Sequence, residues 1–156
     1  MSDWMTLLPF FGVVVVVALS GAVFMPGDWY RSLSKPAWTP PDWLFAPAWT
    51  LLYLMIAVAG WLVWRKQGLG LSLAMWGLNL LCNGAWSWLM FGRHRIRAAL
   101  VDALAMLATI VAFMWSAWSI SQTAALLFVP YLAWTAFAAV LNWEILQRNP
   151  DPEATT

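Results

Sequence analysis

Three short sets of residues each mix an aromatic ring with a small or polar side chain at helical spacing. Asn79, Asn83 and Trp86 stand at i, i+4 and i+7. Trp134, Ala138 and Asn142 stand at i, i+4 and i+8, and Trp49, Tyr53 and Ala57 repeat that spacing. Residues so spaced lie on one face of an α-helix. The chemistry they offer is recognition: flat faces for stacking, amides for hydrogen bonds, and at Ala138 room for a ligand. Two readings stay open for Asn83, a polar anchor in a pocket or a hydrogen bond between helices. Asn79 is assigned to the interhelical bond. Trp4, Trp64 and Trp118 fit the aromatic belts found at membrane boundaries. Trp86 and Trp134 fall mid-stretch, where a buried indole N–H needs an acceptor or a ligand.

Other chemistries find little support. A single cysteine, Cys82, leaves no internal disulfide and no multi-cysteine metal site. The lone His94 lies in the basic stretch RHRIR and reads as a solvated interfacial side chain, so no metal site is assigned. Asp102 is the one acid inside its apolar stretch. It reads as reaching the interface or complementing the positive end of its helix, because proton transfer would require a second titratable group in the membrane. No nucleophile–base–acid set and no phosphate loop is present, so no catalytic residue is assigned. Chemistry borrowed from a bound pigment would leave no such trace. Eight scattered basic residues do not make a nucleic-acid surface.

The elements that must position these residues follow from composition. Hydrophobic residues make up 63% of the chain and charged residues 10%, against about 25% charged in soluble domains. The solvent is therefore a bilayer. A spanning helix needs about 20 mostly apolar residues, and residues 5–25, 47–64, 71–91, 96–120 and 123–146 each qualify. The expected fold is all-α, an integral membrane bundle of five helices forming one domain over residues 1–150, with 151–156 as a flexible tail. The flank MSDWM has no basic residue, so the first stretch reads as a retained helix and not as a signal peptide. The short connections make consecutive helices antiparallel neighbours. Ala105, Ala108, Thr109, Ala112 and Ser116 form a stripe of mostly small residues expected to pack against another helix. Arg31, Lys35, Arg93, Arg95, Arg97 and Arg148 fall on one side of the membrane, Arg65 and Lys66 on the other. The positive-inside rule then puts the N-terminus outside and the C-terminus in the cytoplasm, with inner or outer membrane left open.

Between the first two stretches lies SLSKPAWTPPDWLFAPAW, with Trp38, Trp43, Trp49 and four prolines. Proline fixes φ, so this loop is expected to hold its indoles stiffly, as a lid across the mouth of the bundle. The run from Trp29 to Trp64, together with NGAWSWLMFG, ALVDAL and VPYLAWTAFAAVLNWEI, resembles the translocator protein (tryptophan-rich sensory protein, peripheral benzodiazepine receptor) family over essentially the whole chain. The resemblance implies a five-helix bundle, usually a homodimer. It implies a cavity that binds protoporphyrin IX, haem or a similar hydrophobic molecule as ligand, with no obligatory cofactor. Some members bind cholesterol and synthetic ligands. Motif by motif it places Trp38, Trp49, Tyr53, Asn83, Trp86, Trp134, Ala138 and Asn142 at the ligand. A receptor or sensor is the leading function it implies, with light-dependent porphyrin degradation or porphyrin and sterol transport as alternatives. Two departures stand out. Trp88 occupies the position of a family proline, so a kink is expected to be missing, and Asn142-Trp143-Glu144 replaces the tyrosine-plus-base sterol motif of animal members.

Overall fold

The computed structural model describes residues 3–150; the expected tail, 151–156, lies outside the described residues. Every regular element among them is helical. A 3-10 turn, Asp3–Leu7, leads into α1 (Leu8–Val23). A short α2 (Asp28–Ser32) lies in the first connection. Then come α3 (Asp42–Gln67), α4 (Leu71–Ser87), a π-helical turn (Trp88–Gly92), α5 (Ile96–Trp118), α6 (Gln122–Leu127) and α7 (Val129–Arg148).

Four stretches are long and apolar enough to cross a membrane: Trp4–Val23, Asp42–Gln67, Ile96–Trp118 and Gln122–Arg148. The remaining expected span is α4, whose 17 residues rise about 25 Å at 1.5 Å per residue. That is short of the roughly 30 Å hydrocarbon core, and the π turn carries the coil on to Gly92.

Three expectations about the helices change. The second long helix begins at Asp42, not at 47. Pro41 stands at its N-cap and Asp42 places a carboxylate in its first turn, where the helix dipole favours negative charge. Trp43, Pro47 and Trp49 are therefore helical, and of the three loop indoles only Trp38 stays in the loop. The last stretch, expected as one helix over 123–146, breaks at Phe128. Pro130 has no N–H with which to continue α6, and it sits instead in the first turn of α7, where none is needed. At Trp88 the expected loss of a kink is not what is seen, because a π turn distorts the helix there without proline.

The helices close into a ring. α1 packs on α3 and α4, α4 on α5, α5 on α6 and α7, and α6 returns to α3. The core on this path holds Ile56, Ile110, Phe113, Phe128 and Tyr131, all fully buried. At Gly60 a Cβ would lie 2.5 Å from the Trp76 ring. Glycine there lets the indole lie on α3 and donate from Nε1 to the Ile56 carbonyl at 2.8 Å. The small-residue stripe of α5 is corrected in part. Thr109 is buried and Ala112 and Ser116 are half-buried, but Ala105 and Ala108 face outward. The helix buries Ala99, Ala103, Met106, Ile110, Phe113 and Ala117 instead, a set in which large side chains fill the space the small ones leave.

Two ends are distinct. At one, Trp61 Nε1 donates to Thr6 Oγ1 and Phe10 packs on Trp64. At the other, the connection 24–41 meets both the α4–α5 turn and the end of α7. Outward-facing tryptophans collect at both ends: Trp4, Trp64, Trp115 and Trp118 at the first, Trp38, Trp43, Trp88 and Trp143 at the second. This is the distribution of interfacial belts. Trp49, Trp76, Trp86 and Trp134 turn inward.

Candidate functional site

The inward aromatics of α3 and α7 meet in a seam. α3 packs against α6 near the first end, while toward the second end it meets α7 through side-chain rings. Trp49 lies 5.4 Å from Tyr53 and 6.2 Å from Tyr131, ring centre to ring centre. Phe45 meets Trp134 edge-on at 5.8 Å, Trp134 meets Phe137 at 6.0 Å, and Phe137 meets Trp38 of the loop at 5.6 Å. Phe45, Trp49, Trp134, Phe137 and Ala138 are all half-buried, so the seam is neither sealed nor bare.

Behind the rings the polar groups are tied together. Tyr53 donates its hydroxyl to Asn83 Oδ1 at 2.8 Å, and Asn83 Nδ2 donates to Tyr131 Oη at 2.8 Å. One amide thus joins α3, α4 and α7. Asn79 Nδ2 donates to Thr109 Oγ1 at 3.0 Å, the interhelical role expected for it. Trp86 Nε1 donates to Asn142 Oδ1 at 3.2 Å, and Asn142 Nδ2 donates to the Ile96 carbonyl at 3.0 Å. Asn83 and Asn142 are therefore occupied within the bundle, and Trp86 has its acceptor.

Trp134 does not. Its Nε1 is buried and has no hydrogen-bond partner. An indole N–H in apolar surroundings costs free energy unless an acceptor is supplied. Ala138 lies one turn further along α7 on the same face and is half-buried. The arrangement offers flat apolar faces, one unspent donor and a small neighbour, which suits a flat ligand carrying an acceptor at its edge.

Of the residues singled out in the sequence, Trp49, Tyr53, Trp134 and Ala138 lie at the seam, and Trp38 caps it through Phe137. Trp86 and Asn142 pair with each other nearer the second end, beside Phe91 and Ile96. Sequence reasoning passed over Tyr131, Phe45 and Phe137. Tyr131 stands three residues before Trp134 and seven before Ala138, so the helical spacing used for the others would have found it. Phe45 was hidden by the assignment of its segment to a loop.

The connection 24–41 is anchored rather than free. Asn149 accepts from the Ser34 amide at 3.0 Å and donates to the Ser34 carbonyl at 2.9 Å. Lys35 Nζ donates to the carbonyls of Tyr30, Arg31 and Leu33, which end α2, and lies over the Tyr30 ring. Burial, with the Asp42 carboxylate adding to it, pushes the Tyr30 phenol above its usual range. His94, expected as a solvated side chain, instead stacks on Trp29 at 4.2 Å, nearly parallel, from a left-handed backbone with φ 55°. Asp102 is the seventh residue of α5, beyond the first turn where a helix dipole acts. Its Oδ2 is buried without a partner. No group of three or more metal-ligating side chains comes together among the described residues.

Comparison with known proteins finds relatives over nearly the whole chain. The family model of the TspO/MBR family matches residues 6–148. A tryptophan-rich sensory protein of Cereibacter sphaeroides is 37% identical, the match covering 97% of each chain. A tryptophan-rich protein TspO of Chlorobaculum tepidum is 39% identical over 94% of this chain and 97% of its own. A translocator protein of Bos taurus is 38% identical over 92% of this chain and 87% of its own.

Proposed function

Since the chain belongs to the TspO/MBR family, we propose that it is a multi-pass membrane receptor that takes a tetrapyrrole such as protoporphyrin IX or haem into the seam between α3 and α7. The observation that carries this reading is the buried, unpartnered Nε1 of Trp134 in a seam of half-buried rings. A macrocycle entering there parts the edge-on ring contacts and lies flat against Trp49 and Trp134. Each aromatic pair contributes about 0.5–1.5 kcal/mol beyond the area it buries. A propionate or carbonyl at the ligand edge accepts the Trp134 N–H. Ala138 leaves room for the ring edge, while Asn83 holds Tyr53 and Tyr131 so that Trp49 keeps its place.

In this reading α4 and its π turn form a fifth span and residues 24–41 serve as the lid, with Trp38 resting on Phe137. The basic second end faces the cytoplasm, which puts the C-terminus there. The family names speak of sensing and of translocation. Binding under a lid is the step both would share.

The test is Ala138→Phe. The added ring fills the space beside Trp134, so saturable protoporphyrin binding should be lost while the helical circular dichroism and the thermal midpoint in detergent stay near those of the parent. Undiminished binding would remove Ala138, and the seam with it, from the site.

A further inference from the structure

The turn between α4 and α5 concentrates charge that no ion pair among the described residues neutralises. Arg93, Arg95 and Arg97 are all exposed, and none of them forms an ion pair among the described residues. The other arginines at this end are already engaged: Arg31 bonds Asp28 at 2.8 Å and Arg148 bonds Glu144 at 3.2 Å. The turn is also shaped. The π turn returns the Arg93 amide to the Trp88 carbonyl at 2.8 Å, and the Arg95 amide reaches back to the Leu89 carbonyl at 2.9 Å. His94 between them is left-handed and clamped on Trp29. Trp88, outward-facing, lies under the Arg93 guanidinium at 5.9 Å. α5 opens immediately afterwards with Arg95 at its N-cap and no side chain accepting its first amides. Exposed arginines next to a helix start that its N-cap side chain does not cap favour phosphate oxygens, and an outward indole at the same level places the cluster at headgroup depth.

We propose that this corner is a binding site for the headgroup of an anionic phospholipid, with the guanidinium groups on the phosphate and Trp88 against the upper acyl chain. The site stands apart from the seam and does not depend on what the seam binds. It touches the connection 24–41 through the Trp29–His94 stack, the Tyr30–Phe91 ring contact and the approach of Phe24 to Gly92. A bound headgroup would therefore brace one anchor of that connection from outside the bundle.

The purified full chain in an uncharged maltoside micelle, at low ionic strength, is titrated with dansyl-labelled phosphatidylglycerol, reading energy transfer from tryptophan. Saturable transfer is expected, and little with dansyl-phosphatidylcholine. Each basic residue near an anionic surface strengthens attraction about fivefold. The triple variant Arg93→Gln, Arg95→Gln, Arg97→Gln should thus raise half-saturation at least about tenfold. The pair Arg65→Gln, Lys66→Gln at the opposite end should leave it unchanged. Should the triple glutamine variant fail to fold, the triple lysine variant keeps the charge but loses the planar fork, and should raise half-saturation about threefold. Equal half-saturation for the parent and for whichever arginine variant folds would overturn the proposal. So would equal binding of phosphatidylcholine, or an equal loss in the opposite-end pair. Displacement of the probe by millimolar inorganic phosphate as readily as by unlabelled phosphatidylglycerol would make this a free-anion site and overturn the lipid assignment.

Discussion

At the residue scale two kinds of buried polar group behave differently, and the difference is measurable. Asn83 is spent on Tyr53 and Tyr131. Replacing it with alanine strands two hydroxyls in the interior, at about 1–3 kcal/mol for a buried group left unsatisfied. Asn83→Ala should therefore lower the thermal midpoint in detergent even without ligand. Thr135 is the opposite case, since its Oγ1 is buried with no partner. Thr135→Val removes the unpaired hydroxyl and should leave stability unchanged or raise it by about 1 kcal/mol. Trp134 resembles Thr135 in the free protein but not in the complex. Trp134→Phe removes the lone N–H, so the unliganded bundle should be no less stable while the ligand loses a hydrogen bond. Both readings of Asn83 suited its spacing, because an amide on an inner helix face looks the same whether a ligand or a neighbouring tyrosine satisfies it.

At the scale of elements, the close approach of α3 and α4 rests on Gly60 and Trp76. Gly60→Ala drives a methyl into the indole and displaces its bond to the Ile56 carbonyl. Overpacking of this kind costs about 1–3 kcal/mol, readable as a lowered midpoint beside an unaffected Gly12→Ala, where nothing lies within 4 Å. The anchoring of the connection 24–41 by Asn149 has a similar test. Asn149→Ala should speed proteolysis within residues 24–41 and leave the helices protected. The sequence disclosed the apolar stretches and the faces of α3, α4 and α7, because lipid-facing composition and 3.6-residue spacing are local properties. It hid the start of α3, because the prolines around Trp43 read as a loop while Pro41 and Asp42 in fact open a helix. It also hid the π turn at Trp88, at whose end Gly92 lets Phe24 approach, an added Cβ there meeting the Phe24 ring at 2.8 Å. That contact joins residues far apart in the chain.

For the molecule as a whole, the ring of helices leaves α3 and α7 joined by α6 at one end and by aromatic side chains at the other. Stability and recognition are thereby divided. The core around Phe113 and Phe128 is fully buried, while the seam near Trp49 and Trp134 is half-buried in front of the Tyr53–Asn83–Tyr131 hydrogen bonds. The central claim is that a flat ligand enters this seam and accepts the Trp134 N–H. The most direct measurement is a titration of the detergent-solubilised protein with protoporphyrin IX, following tryptophan fluorescence, beside Trp134→Phe. Saturable quenching at one ligand per chain is expected, with affinity about tenfold weaker in the variant, as loss of one hydrogen bond of roughly 1.4 kcal/mol requires. Linear quenching without saturation in both proteins would contradict the account and leave the seam as packing alone.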